Sequence, residues 1–166
     1  MRVLSKETVD AIEAVKKRYP TKLAATLPAL HFAQKQVGHI SGDVELDVAE
    51  CLDVPPARVH EVVTFYTMFF DHKVGKHVVR ICRNLACQLR GADRIIAHAE
   101  KVLGVKCGET TPDGRVTLEH EECLASCGTA PAAWYGQPGD GGKPGNEVLV
   151  ENLTEEKLEK FLASLQ

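Results

Sequence analysis

The sequence predicts an α+β chain in two parts, an N-terminal helical bundle over residues 1–73 and an α/β domain over residues 74–166. Three observations carry this expectation. Before residue 73, apolar residues recur at helical spacing between Pro and Gly breaks, as in Val9-Ile12-Val15 and Leu23-Leu27-Leu30. After it, short β-branched runs such as His77 to Cys82 (HVVRIC) take turns with helical stretches. Between the two, Asp71 to Lys76 (DHKVGK) is polar and follows neither period, so it reads as the linker.

In the first part, Ser5 is placed to cap a helix carrying Val9, Ile12 and Val15 and ending near Tyr19-Pro20. A second helix is expected from about Lys22 to Val37, with Pro28 near its start or kinking it. Gly38 to Gly42 is a break, and Asp43 to Leu52 is a short third helix presenting Val44, Val48, Cys51 and Leu52. Pro55-Pro56 opens a fourth, from Ala57 to about Phe69, and Phe65, Met68, Phe69 and Phe70 read first as core.

In the second part, His77 to Cys82 reads as a strand. Gly91 to Leu103 reads as a helix with Ile95, Ile96, Ala99, Val102 and Leu103 inward and Gly104 as its stop. Arg115 to Glu119 alternates like a strand, and Ala130 to Tyr135 pairs with Glu147 to Val150 as a hairpin around the Gly-rich tip Gly136 to Asn146. Thr154 caps a last helix whose stripe is Leu158, Phe161, Leu162 and Leu165. The order β-α-β-β-β-α, four strands with helices packed on them, is compatible with a thioredoxin-like α/β domain.

Composition narrows the function. Hydrophobic content of 44%, charged content of 26% and net charge of −3 are ordinary for a globular protein and give no reason to expect nucleic acid. No apolar run approaches the roughly 20 residues of a spanning helix, so direct membrane insertion is not expected. The N-terminus turns charged at once and does not resemble a secretory signal. A reducing, cytoplasmic setting follows, where clustered cysteines are more often metal ligands than disulfides.

Four of the six cysteines form two clips, Cys82-x4-Cys87 and Cys123-x3-Cys127, with 35 residues between them. A two-iron cluster takes two thiolates per iron, so each clip suits one iron. Zinc on four cysteines is the strongest rival, with His120 as a competing ligand, although zinc clips favour a two-residue gap. Thiol redox chemistry would use a C-x-x-C, which is absent. Cys51 reads as a buried small hydrophobe and Cys107 as incidental. Arg80, Arg83, Arg90 and Arg94 crowd the first clip, and Glu119, Glu121 and Glu122 precede the second; solvated ion pairs are the plain reading and a docking patch the sharper one. His72 and His77 read as surface residues. Gly91 and Gly128 are read as letting backbone approach the metal closely.

Cys82-Arg83-Asn84-Leu85-Ala86-Cys87-Gln88-Leu89-Arg90-Gly91-Ala92 and Glu122-Cys123-Leu124-Ala125-Ser126-Cys127-Gly128-Thr129-Ala130-Pro131 resemble the signatures of a respiratory family. That family is the E-type subunit of NADH-quinone oxidoreductase, respiratory complex I. The resemblance runs colinearly through Leu27 to His31, Val54 to Pro56, Thr64 to Phe69, Gly108 to Gly114 and Glu151 to Thr154. It implies one [2Fe-2S] cluster on Cys82, Cys87, Cys123 and Cys127 in a thioredoxin-like ferredoxin domain. It also implies an oxidoreductase role as an electron carrier without its own NADH site. The partner is then the flavin-bearing F-type subunit, which holds NADH and FMN, together with further complex I subunits. The implied location is cytoplasmic, peripheral to the inner membrane through the complex. Equivalent subunits of NAD-linked formate dehydrogenases and soluble hydrogenases share these motifs. The chain departs from the family in a longer Gly136 to Asn146 segment and in Trp134-Tyr135, where smaller or polar residues are expected.

Overall fold

The computed structural model describes residues 2–137 and 147–165. These form two compact units, residues 2–73 and residues 74–137 with 147–165. Residues 138–146 of the expected hairpin tip, Gly136 to Asn146, lie outside the described residues.

The first unit contains α1 (Lys6–Lys16), a 3-10 turn (Leu23–Ala25), α2 (Thr26–Val37), α3 (Gly42–Leu52) and α4 (Pro56–Phe65). Ser5 caps α1 by accepting the Thr8 N–H, which satisfies one of the free donors of the first turn. The expected single helix from Lys22 is divided, and α2 begins at Thr26. Pro28 therefore sits in the first turn, where its missing N–H costs no helical bond. Ile12, Leu30, Ile40, Val44, Val48, Leu52 and Val59 fill the core. At the N-terminal edge, Asp47 accepts the Val3 and Leu4 N–H groups at 2.6 and 2.9 Å.

Helix α4 stops at Phe65, short of the expected Phe69, because Tyr66 adopts an extended backbone (φ −98°, ψ 115°). The cause lies across the bundle. The Gln34 side chain donates to the Met68 carbonyl at 2.9 Å and accepts the Phe70 N–H at 2.9 Å, while the Ile40 N–H donates to the Phe70 carbonyl. These bonds hold Phe69 and Phe70 inward. Phe65 and Met68 are instead 76% and 44% exposed, which corrects their assignment to the core.

The second unit is a five-stranded sheet with helices α5 (Leu85–Leu89), α6 (Ala92–Leu103) and α7 (Glu155–Ser164). Its strands β1 (His77–Cys82), β2 (Glu109–Thr110), β3 (Val116–Glu121), β4 (Ala133–Gly136) and β5 (Val148–Val150) lie in the order β2-β3-β1-β4-β5. β1 is central, buried along its whole length, parallel to β3 and antiparallel to β4. The parallel pair requires a crossover, which α6 supplies. β2 and α5 go beyond the sequence expectation; two and five residues are too short to show a hydrophobic period.

One sheet face presents Val79, Ile81, Leu118, Ala133 and Tyr135 to Ile95 and Ala99 of α6 and to Leu158 and Leu162 of α7. Each Val, Ile or Leu among them contributes about 1.5–3 kcal/mol on burial. The buried row of α6 follows Ala92, Ile95 and Ala99, with Leu103 partly buried, which leaves Val102 at its flank and exposed, not inward. His77 is also corrected. It begins β1 on the core side, is buried, and lies 2.8 Å from the Tyr135 hydroxyl through Nδ1.

The opposite face carries Arg80, Glu119 and Trp134. The Trp134 ring lies across Gly136, where a Cβ would come within 2.2 Å of it, so only glycine fits there. Trp134 and Tyr135 thus both serve the sheet itself. Thr154 caps α7 by accepting the Lys157 N–H, as its sequence predicts.

Candidate iron-sulfur site

The parallel register pairs Cys82 with Glu121, so β1 and β3 end level and release their following loops at the same sheet edge. The two clips, 35 residues apart in sequence, thus lie on loops that leave the same edge of the sheet. Cys82 closes β1, and its N–H donates to the Ala132 carbonyl at 3.0 Å. Cys87 lies within the single turn of α5, introduced by Asn84, and not in a loop. Gly91 then joins α5 to α6 with φ +91°, a left-handed conformation that favours glycine. A Cβ at Gly91 or Gly128 would meet open space, so Gly91 is explained by its backbone angle and not by crowding.

On the other side, Cys123 and Cys127 follow β3 in a loop turned by Ala125, which has φ +55°. That turn aims the Ala125 N–H at the Cys123 Sγ, 3.4 Å away. Cys127 begins a 3-10 turn, Cys127–Thr129.

Burial differs between the clips. Cys82 and Cys87 are buried with Ala92 and Ala130, with Ala86 and Leu124 packed against them, whereas Cys123 and Cys127 are exposed. Burial, and then a hydrogen bond with Cys82, push the Cys87 thiol above its ordinary pKa, and the charge of Cys127 acts in the same direction. Cys82 and Cys127 thus both act on Cys87, while Cys123 is exposed. Among the described residues, no three His, Cys, Asp or Glu side chains are grouped closely enough to hold a metal ion. His120 is exposed and engages Arg83 at 3.3 Å.

The second clip is tied down by residues whose role no motif announced. The Ser126 and Thr129 hydroxyls both donate to the Glu151 carboxylate, at 2.7 and 2.5 Å. These bonds hold the Glu151 carboxyl below its ordinary pKa. Just beyond, the Asn152 and Leu153 N–H groups donate to the Thr129 and Pro131 carbonyls at 2.7 and 2.9 Å. Only the placement of β5 beside β4 brings Glu151 here, so spacing in sequence held no signal for it.

The arginines resolve into separate roles. Arg80 is buried, bonded through Nε to Glu119 at 2.7 Å, with Glu121 at 3.8 Å and the Trp134 ring centroid at 5.2 Å. Arg83 pairs with Glu122 and Arg94 with Glu155, both exposed. Arg90 is exposed just after α5, on which Leu85 and Leu89 are 71% and 80% exposed.

Four sulfur donors, one buried pair and one lip pair, with a backbone N–H already directed at sulfur, fit an iron-sulfide centre. The profile of the thioredoxin-like [2Fe-2S] ferredoxin family matches residues 12–166. The NADH-quinone oxidoreductase E-type subunit of Rickettsia prowazekii (strain Madrid E) is 39% identical over 166 residues, covering 97% of this chain and 92% of that protein. The second E-type subunit of NADH-quinone oxidoreductase from Rhizobium meliloti (strain 1021) is 42% identical over 127 residues, 76% of each chain. Among solved structures, an NAD+-reducing [NiFe]-hydrogenase in the H2-reduced state matches with TM-score 0.66 at 17% identity, a likeness of fold alone. That match covers 85% of this chain and 22% of the hydrogenase chain. The chain belongs to the thioredoxin-like [2Fe-2S] ferredoxin family, alongside the E-type subunits of NADH-quinone oxidoreductase.

Proposed function

We propose that this protein is the electron-carrying E-type subunit of an NADH-quinone oxidoreductase, with its [2Fe-2S] cluster held by Cys82 and Cys87 on one side and Cys123 and Cys127 on the other. The observation that supports the ligand assignment is the level ending of parallel β1 and β3, whose following loops leave the same sheet edge. When bound, the cluster accepts and returns one electron. The residues of the chain do the rest. Four thiolates hold it, the Ala125 N–H offsets charge on the Cys123 sulfur, and Ala92, Ala130 and Leu124 keep water from the buried pair.

The partner in this reading is the flavin-bearing F-type subunit that binds NADH and FMN, in a complex with further subunits on the cytoplasmic side of the inner membrane. No helix among the described residues is long and apolar enough to cross a membrane. Cys123, Cys127, Leu85, Leu89 and Arg90 are exposed around the site, which suits a partner docked there. The relatives at 39% and 42% identity favour a quinone-reducing complex over a hydrogenase, whose likeness rests on fold.

Anaerobic purification tests this. Iron and acid-labile sulfide in equal amounts, a signal in electron paramagnetic resonance after dithionite, and a co-purifying FMN protein are expected. A colourless protein with stoichiometric zinc and no sulfide overturns the reading. Co-purification with a formate- or hydrogen-oxidising enzyme overturns the choice of complex.

A further inference from the structure

We propose that Glu151 is a positioning residue that holds the Cys123–Cys127 loop in place for the cluster, acting through the hydroxyls of Ser126 and Thr129; this rests on the ligand assignment above. Ser126 immediately precedes Cys127, and Thr129 ends the 3-10 turn that Cys127 begins. Both hydroxyls converge on the same Glu151 oxygen, at 2.7 and 2.5 Å, and themselves lie 2.6 Å apart. The loop is thereby gripped on both sides of Cys127 by one carboxylate.

The grip continues through the backbone. Asn152, with φ +49°, turns the chain so that its N–H donates to the Thr129 carbonyl. Leu153, buried against the main core, donates to the Pro131 carbonyl. The exposed cysteine loop is thus fastened through Glu151 to the start of α7, whose Leu158 and Leu162 pack in the core. The first clip needs no such device, since Cys82 ends a central strand and Cys87 lies in a helical turn. The second clip is an irregular loop, and its order comes from this carboxylate.

Glu151 touches no cysteine, so its effect on the site is through geometry. Removing it leaves two hydroxyls facing water and frees the loop to sample other conformations. Loss of the Asn152 and Leu153 backbone bonds follows, because those N–H groups are held in place by the same turn.

Glu151→Ala in the full chain is the test, with Glu151→Gln as the conservative variant and Glu156→Gln as an exposed control. The readouts are iron release to a ferrous chelator, the line shape of the reduced protein in paramagnetic resonance, and amide exchange at Asn152 in the metal-free chain. The Ala variant is expected to release iron about tenfold faster, the scale of losing hydrogen bonds to a charged acceptor. Its line shape broadens, and Asn152 exchanges faster. The Gln variant keeps an acceptor oxygen and stays within about twofold of wild type, as does the control. Thr129→Val removes the grip from the other side, and adding it to Glu151→Ala costs no more than the larger single effect.

Unchanged iron release and unchanged Asn152 exchange in Glu151→Ala overturn the proposal. A Gln variant as impaired as the Ala variant also overturns it, since charge and not position then matters. A wild-type chain without iron or sulfide overturns the ligand assignment instead, and amide exchange in that metal-free chain still reports on the grip.

Discussion

Among the described residues of the second unit, Arg80 is the one buried cation, and replacing it with Met provides a quantitative test of how the strand ends are built. Its side chain is 9% exposed and faces two carboxylates, Glu119 at 2.7 Å and Glu121 at 3.8 Å, both under 20% exposed. Removing the cation from a buried pair costs about 3–5 kcal/mol, because the partner charge is left without compensation. Glu119 and Glu121 keep some contact with water, which places Arg80→Met at the lower end, about 3 kcal/mol. Loss of the guanidinium over Trp134 contributes about 0.5–1 kcal/mol of that. Met refills the volume, so cavity formation adds little. The assay is urea unfolding followed by circular dichroism, with Glu119→Gln and the double variant completing a cycle. Because Glu119 is the closer partner, the double variant is expected to regain at least about 1 kcal/mol relative to additivity. A loss below about 1 kcal/mol, or strict additivity in the cycle, refutes a buried ion pair that organises the ends of β1 and β3.

The remaining predictions concern thiols and protons. Cys82→Ala is expected to abolish the visible absorbance and lower the melting temperature of the second unit, since metal binding and folding are coupled; Cys51→Ser keeps the spectrum, as its sulfur lies in the helical core. In the metal-free chain, iodoacetamide under mildly alkaline conditions should label exposed Cys123 and Cys127 first, because burial raises the Cys51 and Cys107 thiols; mass spectrometry with time gives the order. Glu100 is held below its ordinary pKa by a hydrogen bond from Lys106 and by the Cys107 N–H, and Asp113 by the Thr111 hydroxyl and the Arg115 N–H. Their folded pKa values are depressed, so their contribution is present above the ordinary carboxylate range and lost as pH falls through the folded values. Denaturation midpoints measured from about pH 7 down to about pH 3 should fall, and Glu100→Gln should flatten that fall; a midpoint that rises on acidification contradicts the assignment.

Much of this protein was legible in its sequence because the relevant physics is local. Helical spacing marked α1, α3 and α6, β-branching marked β1, and side-chain caps marked Ser5 and Thr154, each acting within a few residues. Two clips of cysteines pointed to a thiolate-held metal centre, since ligand type is a property of the residue, and the surrounding motifs favoured iron-sulfur over zinc. Where α4 ends was hidden, because Gln34, 34 residues before Met68, captures the backbone of Met68 and Phe70. The burial of His77 and Arg80 was hidden too, as each depends on partners from other strands.

What the sequence by itself determined is therefore the inventory: which segments bury an apolar face and which atoms can bind metal. Only the tertiary structure decided that the loops carrying the clips leave one sheet edge, through the level ends of two parallel strands, and what holds the second loop, through a carboxylate from beyond β5. The physical reason is range. Propensity and capping act between neighbours along the chain, whereas strand register and side-chain networks join residues whose separation in sequence carries no trace of their contact.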